Sequence, residues 1–296
     1  MATIYFKIFQ GDCIMIRDRS LLFEGGEMGV LLIHGLGGTP TEMKSTGRRL
    51  SETGATVLCC QLAGHCGTEA DLASTRWTDW YVSAEAALSQ LEARCSTIIV
   101  GGLSMGAVLA ARLAAQHSQS VHGLVMLAPT LWYDGWSTPW YRFLLQLFIQ
   151  TPIGRRWRFM EQEPYGIKDE RTRTIIANAM FGDDSSEAGL PATPGSSVLE
   201  LSRLIKTVKK DLHRIRQRTL IVHAREDDMA DLSNAFYLQR HLGGLVEALV
   251  LDDSYHLVTI DRQRKLVTER CAGFVETFIG DDARRQDYQM GRRYVA

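Results

Sequence analysis

The apolar positions of this chain fall into short, uninterrupted blocks separated by stretches with helical spacing. Residues 30–33, 56–60, 97–100, 124–127, 219–222 and 248–251 are too short and too uniformly apolar to lie half-exposed, so they predict strands covered on both faces. Between them, residues 41–51, 77–91, 105–117, 233–241 and 264–278 carry helical patterning. Strand alternating with helix predicts an α/β fold: a mostly parallel central sheet with helices on both faces. Two further segments, near residues 5–9 and 21–23, are expected to extend the sheet antiparallel.

One interval breaks the rhythm. From Thr130 to about His213 no clear buried strand is visible, and the stretch reads as an inserted helical cap. Residues 1–129 and 214–280 then form the body, 130–213 the insert, and the charged residues 281–296 a flexible tail. Within the insert, residues 182–197 are rich in Gly, Pro, Ser and Asp and are expected to be a mobile loop. Trp132, Trp136, Trp140, Phe143, Leu147 and their neighbours up to Ile149 predict a helix apolar on nearly all sides, well short of the roughly 20 residues that span a bilayer. Arg155, Arg156 and Arg158 follow as a basic cluster, which is a solvated face or a contact for anionic groups.

Composition narrows the partners. Thirty-three Lys and Arg against 34 Asp and Glu give a net charge of −1, which offers no general attraction to nucleic acid. The six cysteines have neither metal-ligand nor disulfide-framework spacing and are expected to be reduced and buried. The first eleven residues lack the basic start and continuous apolar centre of a signal peptide, so the expected address is cytoplasmic.

Chemistry concentrates at the ends of the expected strands. Ile98-Ile99-Val100-Gly101-Gly102-Leu103-Ser104-Met105-Gly106 is a β-branched run entering a Gly-x-Ser-x-Gly turn, and an alanine-rich helix follows. Small neighbours permit the strained backbone that lifts a serine hydroxyl clear of a sheet edge, which makes Ser104 a candidate nucleophile. Met105 then opens the helix with its N–H free for an anion. His34-Gly35-Leu36-Gly37-Gly38 follows the 30–33 strand, and its glycines let the Leu36 N–H approach the same centre. Carboxylates come after the 219–222 strand, where Asp227 is preferred over its neighbours Asp228 and Asp231. His256 comes after the last strand and is the candidate base, while His34 and His65 read as loop formers. The resulting order is nucleophile, acid, histidine.

On these residues the chain resembles the α/β-hydrolase superfamily, and within it the small bacterial carboxylesterases and monoacylglycerol lipases. Gly102-Leu103-Ser104-Met105-Gly106 matches the nucleophile elbow, His34-Gly35-Leu36 the oxyanion loop, Ala224-Arg225-Glu226-Asp227 the acid turn and Ser254-Tyr255-His256 the histidine loop. Leu62-Ala63-Gly64-His65-Cys66-Gly67 is similar to the Gly-His-Gly loop, with Cys66 interrupting it, and Tyr255 stands where a glycine commonly precedes the histidine. The resemblance implies acyl transfer to water: Ser104 as nucleophile, His256 as base, Asp227 orienting it, and the N–H groups of Leu36 and Met105 as the oxyanion hole. That chemistry calls for no metal or organic cofactor. The expected substrate is an acyl ester or lipid, with Trp132, Trp136, Trp140 and Phe143 as substrate-binding residues and transient lipid contact through the cap. A thioesterase or acyltransferase would use the same three residues, and a non-catalytic binding protein would share only the fold.

Overall fold

The computed structural model of the chain describes residues 17–182 and 188–293, with side chains as far as Ile279. In chain order, the first half contains β1 (Leu21–Phe23), β2 (Met28–Ile33), α1 (Lys44–Ser51), β3 (Thr56–Cys60), α2 (Glu69–Ala73), α3 (Trp77–Glu92), β4 (Thr97–Leu103), α4 (Met105–Gln116) and β5 (Val121–Leu127). Next come a 3-10 turn at Trp140–Leu144, α5 (Leu145–Phe148), α6 (Pro152–Arg156), β6 (Arg158–Met160), α7 (Glu170–Met180), β7 (Ala192–Pro194) and α8 (Gly195–Asp211). The described chain closes with β8 (Arg218–Ala224), α9 (Ser233–His241), β9 (Val246–Leu251) and α10 (Arg264–Arg293).

Seven strands form one sheet in the order β1-β3-β2-β4-β5-β8-β9, parallel except where β1 pairs antiparallel with β3. The apolar blocks in β2, β3, β4, β5 and β8 are covered on both faces, whereas residues 248–251, expected to be covered likewise, lie in the edge strand β9, where Ala248 is exposed and only Leu251 is buried. Along β2, Val30 and Leu32 enter one cluster with Met43, Leu50, Val267 and Phe274, under α1 and α10. Leu31 and Ile33 enter the opposite cluster with Trp80, Leu88, Leu109 and Leu113, under α3 and α4. Every buried leucine in these layers contributes about 1.5–3 kcal/mol relative to exposure.

Four further expectations need correction. Parallel neighbours cannot be joined by a hairpin, and the crossover from β5 to β8 is made by α8. Its Leu201, Leu204, Ile205 and Val208 pack in the cluster that holds α3 and α4. Part of the expected 130–213 insert is thus a body helix, and the excursion proper ends at β7. The expected 182–197 loop is likewise shorter: β7 pairs with β6 through Phe159 opposite Thr193, and Gly195 opens α8. Pro194 reads as a loop signal but ends a short edge strand, where no donor is needed. Residues 183–187 of that stretch lie outside the described residues.

The apolar helix expected over 132–149 is not continuous. Gly135 packs so closely on the Asp228 backbone that a Cβ would come within 2.3 Å, and Pro139 precedes the 3-10 turn that leads into α5. Finally, α10 does not stop at residue 278. The stretch expected as a tail is helical as far as Arg293, and residues 294–296 lie outside the described part, as does the strand expected at 5–9.

Cys59, Cys60, Cys66, Cys95 and Cys271 are free and buried, and burial pushes the thiols of Cys60, Cys66 and Cys271 up to about 12. Cys13 is outside the described residues. Among the described residues, no helix is long and apolar enough to cross a membrane.

Candidate active site

The chemistry-bearing residues sit where parallel strands release the chain. Ser104 follows β4 with φ 55° and ψ −115°, a conformation that costs on the order of 1–3 kcal/mol for a residue with a side chain. Its neighbours make the turn possible. A Cβ on Gly102 would lie 2.3 Å from the Gly106 carbonyl carbon, and one on Gly106 would lie 2.2 Å from the Ile33 carbonyl oxygen. The Ser104 N–H is anchored on the Leu127 carbonyl at 2.9 Å, and Met105 begins α4 immediately after it. The hydroxyl of Ser104 is 3.1 Å from Thr130 Oγ1, just beyond β5. Thr130 had no motif to mark it; its signal was position alone, a polar residue after a strand at the same sheet edge.

Asp227 and His256, brought together from β8 and β9, form a buried pair. The imidazole Nδ1 lies 2.8 Å from Asp227 Oδ2 and 3.1 Å from Oδ1, while Oδ1 also accepts the N–H groups of Met229 and Ala230 at 2.9 and 2.8 Å. Nδ1 therefore carries the proton, and Nε2 is the free basic nitrogen. It is buried and has no hydrogen-bond partner among the described residues. Burial opposes charge on both groups, but their mutual attraction and hydrogen bond outweigh it. Asp227 is held below its ordinary value and His256 above its own, with Asp228 and Glu42 adding to the rise. The structure joins acid to histidine and leaves the Ser104 hydroxyl on Thr130; hydrogen bonds of this kind often tighten only with substrate bound.

The neighbouring acid holds a different part of the same histidine. Asp228, weighed as a rival for the orienting role, is equally buried but faces two backbone donors: His256 N–H at 3.2 Å and Gly166 N–H at 3.0 Å. Burial raises its pKa, against the pull of His256. Asp231 instead accepts the Ser233 N–H at the start of α9.

Two more carboxyls border the site without any sequence signal. Glu42 accepts the Gly35 N–H at 3.1 Å and lies against Gly38, so it braces the loop that carries Leu36. Glu161, just after β6, hydrogen-bonds Thr193 of β7. Burial lifts both to about 7, with His256 close enough to oppose the rise in each. The excursion also touches the oxyanion loop directly, through Leu190 N–H to the Gly37 carbonyl at 2.9 Å. His34 is buried beneath this loop, lowered to about 4 by desolvation, with Nε2 accepting the Leu62 N–H. It is a loop former, as its position suggested.

The four aromatic residues expected to bind substrate are not equivalent. Trp132 packs edge-on against Tyr237 at 5.3 Å, lies 4.3 Å from Lys209 Nζ and donates its indole N–H to Asp134. These contacts tie it to Tyr237 of α9 and Lys209 of α8. Trp136 donates to the Glu226 carbonyl and rests on Tyr255, linking the excursion to the acid turn and histidine loop. Trp140 and Phe143 are 80% and 64% exposed, in contact with each other. Of the basic cluster, Arg158 forks onto Glu69 through Nε and Nη2, each donating at 2.6 Å.

The chain is similar to known lipases and esterases. The chain is 29% identical over 258 residues to the thermostable monoacylglycerol lipase of Bacillus sp. (strain H-257), covering 87% of this chain and 94% of that one. It is 24% identical to a carboxylesterase of Bacillus subtilis (strain 168), covering 88% and 98%. Among solved structures, a metagenome-derived lipolytic enzyme matches with TM-score 0.73 and 27% identity over 87% of this chain and 97% of that one. A soluble variant of monoglyceride lipase from Saccharomyces cerevisiae shares the fold at TM-score 0.71 and 14% identity, covering 93% and 99%. The family described as serine aminopeptidase, S33 (Hydrolase_4) matches residues 27–263, from just before β2 to the threshold of α10. Since that match takes in the whole sheet from β2 onward and every strand end described above, the chain belongs to the serine aminopeptidase S33 family of α/β-hydrolases.

Proposed function

We propose that this enzyme hydrolyses acyl esters through an acyl-enzyme on Ser104. That it is a carboxylic ester hydrolase rests on its family and on its lipase and carboxylesterase relatives. The observation that carries the finer reading is the Asp227–His256 pair, whose free Nε2 is buried without a partner among the described residues, at the edge where the strained Ser104 turn emerges. In the proposed reaction, Nε2 takes the Ser104 proton as Oγ attacks the ester carbonyl carbon. The N–H groups of Leu36 and Met105 hold the developing oxyanion. Collapse expels the alcohol, which receives the proton from His256, and water repeats the sequence to release the acid.

The substrate class we favour is an acyl ester of short or medium chain, monoacylglycerols included. The excursion supports it: Trp140, Phe143, Leu144, Leu147, Ile153 and Trp157 are all large, apolar and exposed, a surface suited to an acyl chain or a lipid layer. Glu42, which binds the Gly35 N–H, and Glu161, which bonds Thr193 and interacts with His256, supply polar groups near the site that suit an alcohol portion rather than hydrocarbon. Turnover on aryl esters, monoacylglycerols and acyl-coenzyme A, each with wild type and Ser104→Ala, tests the proposal. Ester turnover lost in Ser104→Ala is the expected result. A preference for the thioester would reassign the leaving group, and activity surviving in Ser104→Ala would overturn the mechanism.

A further inference from the structure

The segment that follows β6 returns alongside the histidine loop, and buried carboxylates fasten the two together. Asp261, fully buried, accepts three backbone N–H groups: Tyr255 at 2.7 Å from the histidine loop, and Lys168 and Asp169 at 3.0 and 2.9 Å from the excursion. Asp228 repeats the arrangement one step away, taking His256 N–H on one oxygen and Gly166 N–H on the other. Between them, the Leu257 N–H donates to the Gly166 carbonyl at 2.8 Å. Gly166 has φ +71°, and a Cβ there would stand 3.1 Å from His256 Cβ. Outside this core, Lys168 Nζ pairs with Glu226 of the acid turn at 2.6 Å and with Asp253 of the histidine loop at 3.1 Å.

We propose that Asp261 and Asp228 are positioning residues that clamp residues 166–169 of the excursion to the histidine loop, so that the seating of the excursion sets where His256 stands. A carboxylate that accepts several N–H groups is far more directional than packing alone, because each buried donor it abandons is left desolvated without a partner. A neutral amide at position 261 has a single acceptor oxygen for three donors, and its own NH2 would face an N–H. The imidazole would then drift relative to Asp227, and a misplacement of about 1 Å at a reacting group can cost on the order of 100-fold in rate. The excursion thus contributes to the chemical step as well as to the substrate surface. This proposal rests on the reading of His256 as the base.

The test compares Asp261→Asn and Gly166→Ala with wild type on a soluble aryl acetate, normalised to active sites by fluorophosphonate titration, with thermal stability measured alongside. Both variants should lose about 10- to 100-fold in kcat with KM within about twofold. The groups facing His256 are Asp227 and Asp228 from the acid turn, His223 from the end of β8, Glu42 from the turn after the oxyanion loop and Glu161 from the excursion. An imidazole moved away from Asp227 loses part of the attraction that favours its charged form, so the acid limb of kcat/KM should also move to lower pH. A purely structural role would lower the melting temperature and the fraction of active sites but leave kcat per site and the acid limb where they are. That pattern would overturn the proposal. Should Asp261→Asn fail to fold, Gly166→Ala decides on the same readouts. Ser104→Ala separates the two levels: activity retained there overturns the reading of the site, whereas an inactive Ser104→Ala beside normal Asp261→Asn and Gly166→Ala overturns this proposal alone.

Discussion

Asp227 and Asp228 are adjacent in the chain, equally buried, and bound to different parts of the same histidine. One holds the ring through Nδ1, and the other holds its backbone N–H. Asp227→Asn should preserve the fold and reduce kcat by roughly 10⁴, because the amide no longer selects the tautomer with a free Nε2. Near-normal kcat with an unchanged pH profile would remove Asp227 from the orienting role. Glu42 predicts an effect on stability. Its folded pKa of about 7 lies above the ordinary value of 4.5, so between these two the unfolded chain has released a proton that the folded chain keeps. The stability it contributes is present below about pH 4.5 and is lost as pH rises through about 7. Relative to wild type, Glu42→Gln should therefore gain on the order of 1–3 kcal/mol between about pH 5 and about pH 8, read from urea melts. A pH-independent difference would place the Glu42 carboxyl in water. Ser104, Asp227 and His256 were legible in the sequence because each follows an apolar strand within a few residues. Thr130, Glu42, Glu161 and Asp261 were not, since their roles come from contacts between segments that no local pattern records.

At the scale of elements, strands proved easier to read than the stretch between β5 and β8. Uniform burial makes a short apolar run unambiguous in the inner strands of a sheet covered on both sides, although the edge strand β9 carries such a run half-exposed. In the excursion, apolar residues do not report burial: Ile149 is packed against Val198 and Leu199, whereas Leu147, two residues earlier, is largely exposed. Periodicity assumes one helix with one buried side, and Gly135 and Pro139 prevent that helix from forming. The exposure of Trp140 and Phe143 sharpens the test of their function. Replacing either by alanine should leave stability within about 0.5 kcal/mol, since neither is core. Activity should fall more for long acyl esters than for acetates, by up to about 0.8 kcal/mol for each CH2 that the ring covers. A uniform loss over all chain lengths would take these rings out of substrate binding.

Across the whole molecule, the parallel sheet brings residues more than 220 positions apart in sequence, from His34 to His256, to one edge, and the glycines at 102 and 106 let strand, turn and helix close up there. The mostly parallel sheet was implied by the alternation of strand and helix; what the alternation could not show was the strand order, or that the β5–β8 crossover carries an added layer reaching both the oxyanion loop and the histidine loop. Hydrolysis as proposed requires Ser104 to be a nucleophile activated in that setting. The most direct measurement is covalent labelling with a fluorophosphonate, in which Oγ attacks phosphorus and displaces fluoride, followed by peptide mass spectrometry. The prediction is one label per chain, on Ser104, with ester turnover abolished in step and no labelling of Ser104→Ala; a label on another residue, or full turnover by Ser104→Ala, would contradict it.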